Sequence, residues 1–241
     1  MQIVKLLSHL LDYPAAHLQD HRASILAVID ESPLSGERRQ ALRAFVQQQT
    51  ERDLTDWQCE YDGLFERGRS LSLHLFEHVH GEARDRGQAM VDLLHQYREA
   101  GLDIAERELP DYIPLYLEFL CTQGDDNIQA GLAEVAHILA TLACRLEQRG
   151  SNYQAVLHAL LELSQVEVEL SSLRDQLGQE KPDYTQEALD KVWEEEMVTF
   201  GPGAANDACS TQQSKPSESQ RRDQHIPVNW VADATRTQRG A

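Results

Sequence analysis

From Leu132 to Leu146 the apolar residues Leu132, Val135, Leu139, Leu142 and Leu146 fall at steps of three and four, and after Gly150 the set Tyr153, Val156, Leu157, Leu160 and Leu161 does the same. That spacing lays one apolar stripe along an α-helix and gives no consistent face to a strand, whose side chains alternate with a period of two. The pattern recurs through the chain. Ile3, Val4, Leu6, Leu7, Leu10 and Leu11 repeat it until Pro14 stops the helix. A second helix is expected over 16–30, with Leu18, Ile25, Leu26 and Ile29 on one side, and Ala41, Leu42, Phe45 and Val46 resume the stripe after the Ser32, Pro33, Ser35, Gly36 break. Leu54, Trp57, Tyr61, Leu64 and Phe65 form another stripe, preceded by Asp53 and Asp56, whose charges favour a helix N-terminus. The spacing predicts further helices over 70–78, around Met90, Leu93, Leu94 and Tyr97 with Gly101 at the C-cap, and from Pro110 and Pro114 through Phe119. Leu189, Val192, Trp193 and Met197 suggest a last one. Aromatic residues make up only 6% of the chain and alternating Val, Ile and Thr runs are hard to find, so an all-α protein is expected.

From Gly201 onward the composition turns to Gly, Ser, Gln, Asp and Arg with few apolar residues. Such a stretch cannot offset the entropy of ordering by burial. We read 1–200 as a single multi-helix domain and 201–241 as a flexible, disordered tail. The formal net charge is −18, and because the tail holds five basic and four acidic residues the body carries −19. A surface of that sign repels phosphate backbones and anionic headgroups, which argues against nucleic acid and for a cationic partner segment. The N-terminal stretch lacks the pattern of an export signal, and the apolar run around Ala136 to Cys144 is far shorter than the roughly 20 residues a spanning helix needs. No direct membrane insertion is expected. Cys59, Cys121, Cys144 and Cys209 show no paired spacing, which fits reduced thiols and a cytoplasmic location.

The densest chemistry lies in Tyr61 to Leu94, which reads YDGLFERGRSLSLHLFEHVHGEARDRGQAMVDLL. His74, Glu77 and His78 spell H-x-x-E-H, the inverted zinc-protease signature, in which two His share a helix face and Glu acts as base. A zinc-dependent hydrolase on these residues is one reading, although no spacing selects a third ligand. A generic helical adaptor is another. The chain has no G-x-x-x-x-G-K-[ST] phosphate loop, no G-x-G-x-x-G turn and no G-x-S-x-G elbow.

Three segments decide between these readings: FERGRSLSLHLFEHVHGEARDRGQAMVDLL, then RELPDYIPLYLEFL, then ALDKVWEEEMVTF. They closely resemble the nitrate reductase molybdenum cofactor assembly chaperones of the NarJ family, over most of residues 1–200 and most strongly from Phe65 to Leu120. The resemblance implies an all-helical chaperone fold and a protein that is not an enzyme and carries no cofactor or metal of its own. It implies binding of the apo-form of the nitrate reductase catalytic (alpha) subunit in the cytoplasm, including that subunit's N-terminal segment. It further implies support of molybdenum cofactor insertion before membrane attachment, with the cofactor delivery machinery as a possible second partner. The aromatic-x-x-Leu-Phe pattern of the wider chaperone group falls on Tyr61, Leu64 and Phe65. Its Glu-Pro-x-Asp-His motif is matched loosely by Glu108, Leu109, Pro110, Asp111 and Tyr112, with Tyr in place of His.

On that basis an amphipathic helix of the partner is expected in a groove lined by Tyr61, Leu64, Phe65, Tyr112, Tyr116 and Phe119, with Glu66, Glu108 and Asp111 holding its basic residues. His78 and His80, whose ordinary pKa lies near 6.5, are candidate pH-sensitive groups. Glu82, Arg84, Asp85 and Arg86 are candidates for ordering the turn after Gly81.

Overall fold

In the computed structural model, which describes residues 1–79, 85–104 and 108–196, the helical stripes become thirteen helices among the described residues. They are α1 (Gln2–Leu11), α2 (Ala16–Asp20), α3 (Arg22–Asp30), α4 (Gly36–Glu51), α5 (Leu54–Phe65), α6 (Leu75–Val79), α7 (Asp85–Glu99), α8 (Ile113–Cys121), α9 (Asp125–Glu134), α10 (Ala136–Gln148), α11 (Gln154–Ser164), α12 (Leu170–Leu177) and α13 (Gln186–Glu196). The fold is all-α, and the described residues contain one isolated antiparallel bridge, between His74 and Tyr112, and no strand. Met1–Glu196 forms one compact unit. The tail expected over 201–241 lies outside the described residues, as do His80, Glu82 and Arg84.

α11 is buried on nearly every side, from Ala155 through Leu161 and again at Leu163 and Ser164. A helix that is apolar all round belongs at a centre, and α10, α9, α4 and α1 pack around it. α1 is almost as fully covered, with α8 and α3 as its other neighbours. The Trp57 indole N–H donates to the Tyr153 hydroxyl at 2.6 Å, and the Tyr153 ring lies 4.8 Å from Phe45 and 5.1 Å from Phe65. Tyr61 completes this aromatic cluster, 4.8 Å from Phe65. Asp53 caps α5 by accepting the Thr55 N–H at 2.8 Å, and Gly101 follows α7 in the left-handed region that glycine tolerates, both as the sequence predicts.

Four boundaries differ from the sequence reading. The helix expected over 16–30 breaks at His21, whose φ of −101° and ψ of 18° leave the helical well. The stripe from Leu132 to Leu146 is two helices, bent at Val135, so that α9 and α10 can both pack on α11. Residues 70–74 are extended or bent, and only Leu75–Val79 is helical there, because Leu73 and His74 run against Asp111–Ile113. α12 is a helix absent from the sequence reading: its stripe, Leu170, Leu173 and Leu177, is only three residues long, and it packs on α10.

Replacing Tyr153 by Phe leaves the buried Trp57 N–H without its acceptor. The expected loss is about 1–3 kcal/mol of unfolding free energy, measured by urea denaturation.

Candidate recognition site

The chain leaves α5 at Phe65, turns through Gly68, and then buries Leu71, Ser72 and Leu73. Leu73 and the residues after it pair with the entry to α8: the Ile113 N–H donates to the Leu73 carbonyl at 2.8 Å and the Leu75 N–H to the Asp111 carbonyl at 2.9 Å. This short pairing carries Asp111 into the interior, where its side chain is fully buried. Its carboxylate accepts the Phe76 N–H at the start of α6 at 3.2 Å and the His74 Nδ1–H at 3.2 Å, with Arg86 of α7 at 3.9 Å. Arg86 also donates to Glu77 at 3.3 Å. One carboxylate thus ties together α6, α7 and α8.

Burial alone would raise the Asp111 pKa, but the hydrogen bond and charge of His74, the Phe76 N–H and Arg86 hold it below its ordinary value. The hydrogen bond to Asp111 raises His74 above its ordinary value, against the opposing effect of burial. His78 behaves in the opposite way: burial lowers its pKa, and its Nε2–H donates to the Ser72 carbonyl at 2.8 Å. The two imidazoles are thus shifted in opposite directions, His78 toward the neutral form and His74 toward the charged form.

The H-x-x-E-H residues are all engaged in this packing. His74 lies before α6, bound to Asp111, and His78 and Glu77 bond to Ser72 and Arg86. Among the described residues no three His, Cys, Asp or Glu side chains converge as a metal set.

Above the junction, between α6 and α7 on one side and α8, α9 and α10 on the other, lies a groove of about 670 Å³. Leu75, Phe76, Leu93, Phe119, Leu120 and Ile138 supply its apolar surface, and its charged lining residues Asp92 and Glu134 are both acidic. Tyr116 lines the groove and donates its hydroxyl to the Gly131 carbonyl at 3.1 Å. Gly131 lets α9 approach α8 closely there: a Cβ would fall 2.3 Å from a Leu120 methyl, which would have to move aside. The wall α7 buries only Leu93 and Tyr97. The Tyr97 hydroxyl donates to the Pro110 carbonyl at 2.7 Å, and its ring lies 4.6 Å from Phe119.

The structure divides the set expected to form one groove. Tyr116 and Phe119 line the large groove, whereas Tyr61, Leu64 and Phe65 sit in the core and do not reach it. Tyr61 and Phe65 instead pack their rings into the aromatic cluster around Tyr153. Phe65, Glu66 and Tyr112 border a cavity of about 240 Å³ beside His74, and Glu108 and Tyr112 another of about 130 Å³ beside Asp12. Asp111, expected to face a partner's basic residues, is a buried structural anion. Tyr61 and Tyr112 do meet: Tyr61 donates to the Leu11 carbonyl at 2.9 Å, and the Tyr112 hydroxyl lies 3.0 Å from Tyr61 and 3.1 Å from the Asp12 carboxylate. Asp85 opens α7 exposed, and Arg86 is half-buried. Leu75, Phe76, Leu93 and Ile138 were not singled out as site residues, since a helical stripe does not show which apolar residues border a gap.

Residues 31–159 match the family described as nitrate reductase delta subunit. The nitrate reductase molybdenum cofactor assembly chaperone NarJ of Escherichia coli K12 is 46% identical over 196 residues, covering 81% of this chain and 83% of that protein. The chain belongs to the NarJ family. A protein of the same strain, described as the probable nitrate reductase molybdenum cofactor assembly chaperone NarW, is 46% identical over 202 residues, or 83% of this chain and 84% of its own length. A Bacillus subtilis protein, described as a probable NarJ, is 33% identical over 97 residues, covering 40% of this chain and 53% of its own. These relatives are assembly chaperones and not enzymes, so membership of the NarJ family removes the hydrolase and generic-adaptor readings. No described helix is long and apolar enough to cross a membrane.

In this NarJ-family chain the His74–Asp111 pair has a definite pH signature. His74 is raised above 6.5, so its contribution is fully present below that value and is lost as pH rises through its folded pKa. Asp111 is depressed below 3.8, so its contribution is present above that value and is lost as pH falls through its folded pKa. The stability difference between the wild type and His74→Gln, measured by urea denaturation, is expected to be largest near pH 5–6 and to shrink toward pH 8. A difference that grows over that interval contradicts the assignment.

Proposed function

We propose that the protein is a system-specific chaperone that binds the apo catalytic subunit of nitrate reductase, including its N-terminal segment. In this reading the complex forms in the cytoplasm and supports molybdenum cofactor insertion before the enzyme attaches to the membrane. Contact with the cofactor delivery machinery would belong to the same stage. The observation that carries the mode of binding is the groove between α7 and α8–α10, with apolar walls and two acidic residues in its lining. A partner helix laying its apolar side on Phe76, Leu93, Phe119 and Ile138 would place its basic side chains near Asp92 and Glu134. The formal charge of −18 on the chain favours encounter with a cationic segment and makes that encounter sensitive to salt. Exposed Val79 at the groove edge adds apolar surface that a bound helix would cover.

Ala130 lines the groove from α9 and is exposed, so a larger side chain there obstructs the groove without entering the core. Calorimetry with a synthetic peptide of the reductase catalytic subunit's N-terminal segment is expected to show binding that weakens with salt. Ala130→Trp should weaken it roughly tenfold, about 1.4 kcal/mol, with an unchanged Tm. Equal affinities for the two proteins would place the peptide elsewhere, and no binding to either would remove the peptide from the proposal.

A further inference from the structure

A second site of directed chemistry lies where α10, the turn after α5 and the segment following α12 meet. Arg145 in the last turn of α10 and Arg149 at its C-cap are four residues apart and project from the same side. Arg145 holds the Glu180 carboxylate with Nε at 3.0 Å and Nη2 at 2.9 Å, and its Nη1 donates to the Ser70 carbonyl at 2.8 Å. Arg149 donates to Asp183 at 3.3 Å and to the Ser70 hydroxyl at 3.1 Å, and its guanidinium lies 3.7 Å from the centre of the Tyr184 ring.

Asp183 fills a concavity in the backbone. Its Oδ2 accepts the N–H groups of Arg69 at 2.7 Å and Ser70 at 2.6 Å, and its Oδ1 accepts the Ser70 hydroxyl at 2.7 Å. Successive backbone N–H groups aimed at one point form an oxyanion receptor, and a guanidinium beside them strengthens it. Gly68 permits it twice over: its φ is +80°, and a Cβ there would lie 2.7 Å from the Asp183 carboxylate. Burial alone would raise the Asp183 carboxyl, yet the Ser70 hydroxyl and the two N–H groups hold it below its ordinary value.

Receptor and occupant come from distant parts of the same compact unit. α12 itself is anchored by Leu170, Leu173 and Leu177 and by Arg174 on Glu147, but beyond it Glu180, Lys181, Pro182 and Tyr184 are exposed, so the two carboxylates and the Tyr184 ring, not apolar burial, hold residues 180–184 in place. Beside Asp183 a cavity of about 340 Å³ opens, sharing no lining residue with the apolar groove. The two carboxylates stand three residues apart and are read separately by the two arginines and the turn.

We propose that Gly68–Ser70 with Arg145 and Arg149 is a second recognition site, a receptor for an acidic peptide segment bearing two carboxylates three residues apart, and that the chain's own Glu180 and Asp183 occupy it until such a segment displaces them. A tethered ligand acts at an effective concentration of about millimolar, so an acidic segment in trans competes poorly while the internal one is intact. Removing the internal carboxylates unmasks the site. This inference is independent of the apolar groove.

The test uses the full chain carrying Glu180→Gln and Asp183→Ala, with the synthetic peptide GQEKPDYT, copied from residues 178–185, as probe. The amides of Arg69 and Ser70 are expected to lose hydrogen-exchange protection in the variant and to regain it with the peptide. Calorimetry should show the peptide binding the variant at least tenfold more tightly than the wild type, a gain that Arg149→Gln removes. Inorganic phosphate forms a separate arm: recovery with phosphate but not with peptide overturns the peptide receptor and leaves a small-anion site. Protection that persists in the variant, or an absence of binding in both arms, overturns the proposal entirely. Should the double variant lose its helical circular dichroism, wild-type chain at millimolar peptide decides. Faster chymotryptic cleavage after Tyr184 supports displacement, and an unchanged rate contradicts it.

Discussion

The buried carboxylate of Asp111 is the constraint on which the recognition half of the molecule depends. Removing a carboxylate from water costs several kcal/mol, and only partners with good geometry offset that. Here they are the first free N–H of α6, the imidazole of His74 and the guanidinium of Arg86. Because these partners come from two segments, His74–Phe76 and Arg86, the same interactions that satisfy Asp111 set α6 and α7 relative to α8. The groove walls are thereby positioned by an ion pair and hydrogen bonds more than by apolar burial. Tyr97 makes the other attachment of α7, through Pro110 and Phe119.

The opposite half is built on different physics. α11 and α1 are covered on nearly all sides, and Phe45, Trp57, Tyr61, Phe65 and Tyr153 interlock around one buried hydroxyl. Dense aromatic packing of this kind resists rearrangement. A rigid floor from α8, α9 and α10 therefore faces a wall, α7, that buries two side chains. That asymmetry suits the helix-in-groove binding proposed above. The carboxylate receptor at Gly68–Ser70 applies the same economy on another face, where one aspartate holds a segment that contributes little to the core.

The fold was legible in the sequence because long amphipathic stripes report helices directly, and α1, α5, α7, α8 and α11 follow their stripes closely. The bend at Val135 was not legible, since a stripe at steps of three and four continues through a kink that keeps the same side inward. α12 escaped for another reason: its stripe, Leu170, Leu173 and Leu177, spans only two turns. The candidate site was legible in part. Tyr116 and Phe119 border the groove, but Tyr61, Leu64 and Phe65 carry an equally apolar pattern and face the core, and periodicity does not distinguish a floor from an interior. Asp111 looked like a surface anion because acidic residues are seldom fully buried. Only the backbone pairing of Leu73 and His74 with Asp111–Ile113, a contact between distant parts of the chain, takes it inside. The same pairing orients His74 toward Asp111 and leaves His78 against Ser72, contacts that the sequence alone does not show.

The most direct test of the account is a methyl NMR titration of the isotope-labelled full chain with the N-terminal peptide of the reductase catalytic subunit. The groove predicts that shifts concentrate on the methyls of Leu75, Leu93, Leu120 and Ile138, while Leu11, Leu64 and Leu71 stay in place. Shifts centred on Leu64 and its neighbours, with Leu93 and Ile138 unmoved, would contradict it.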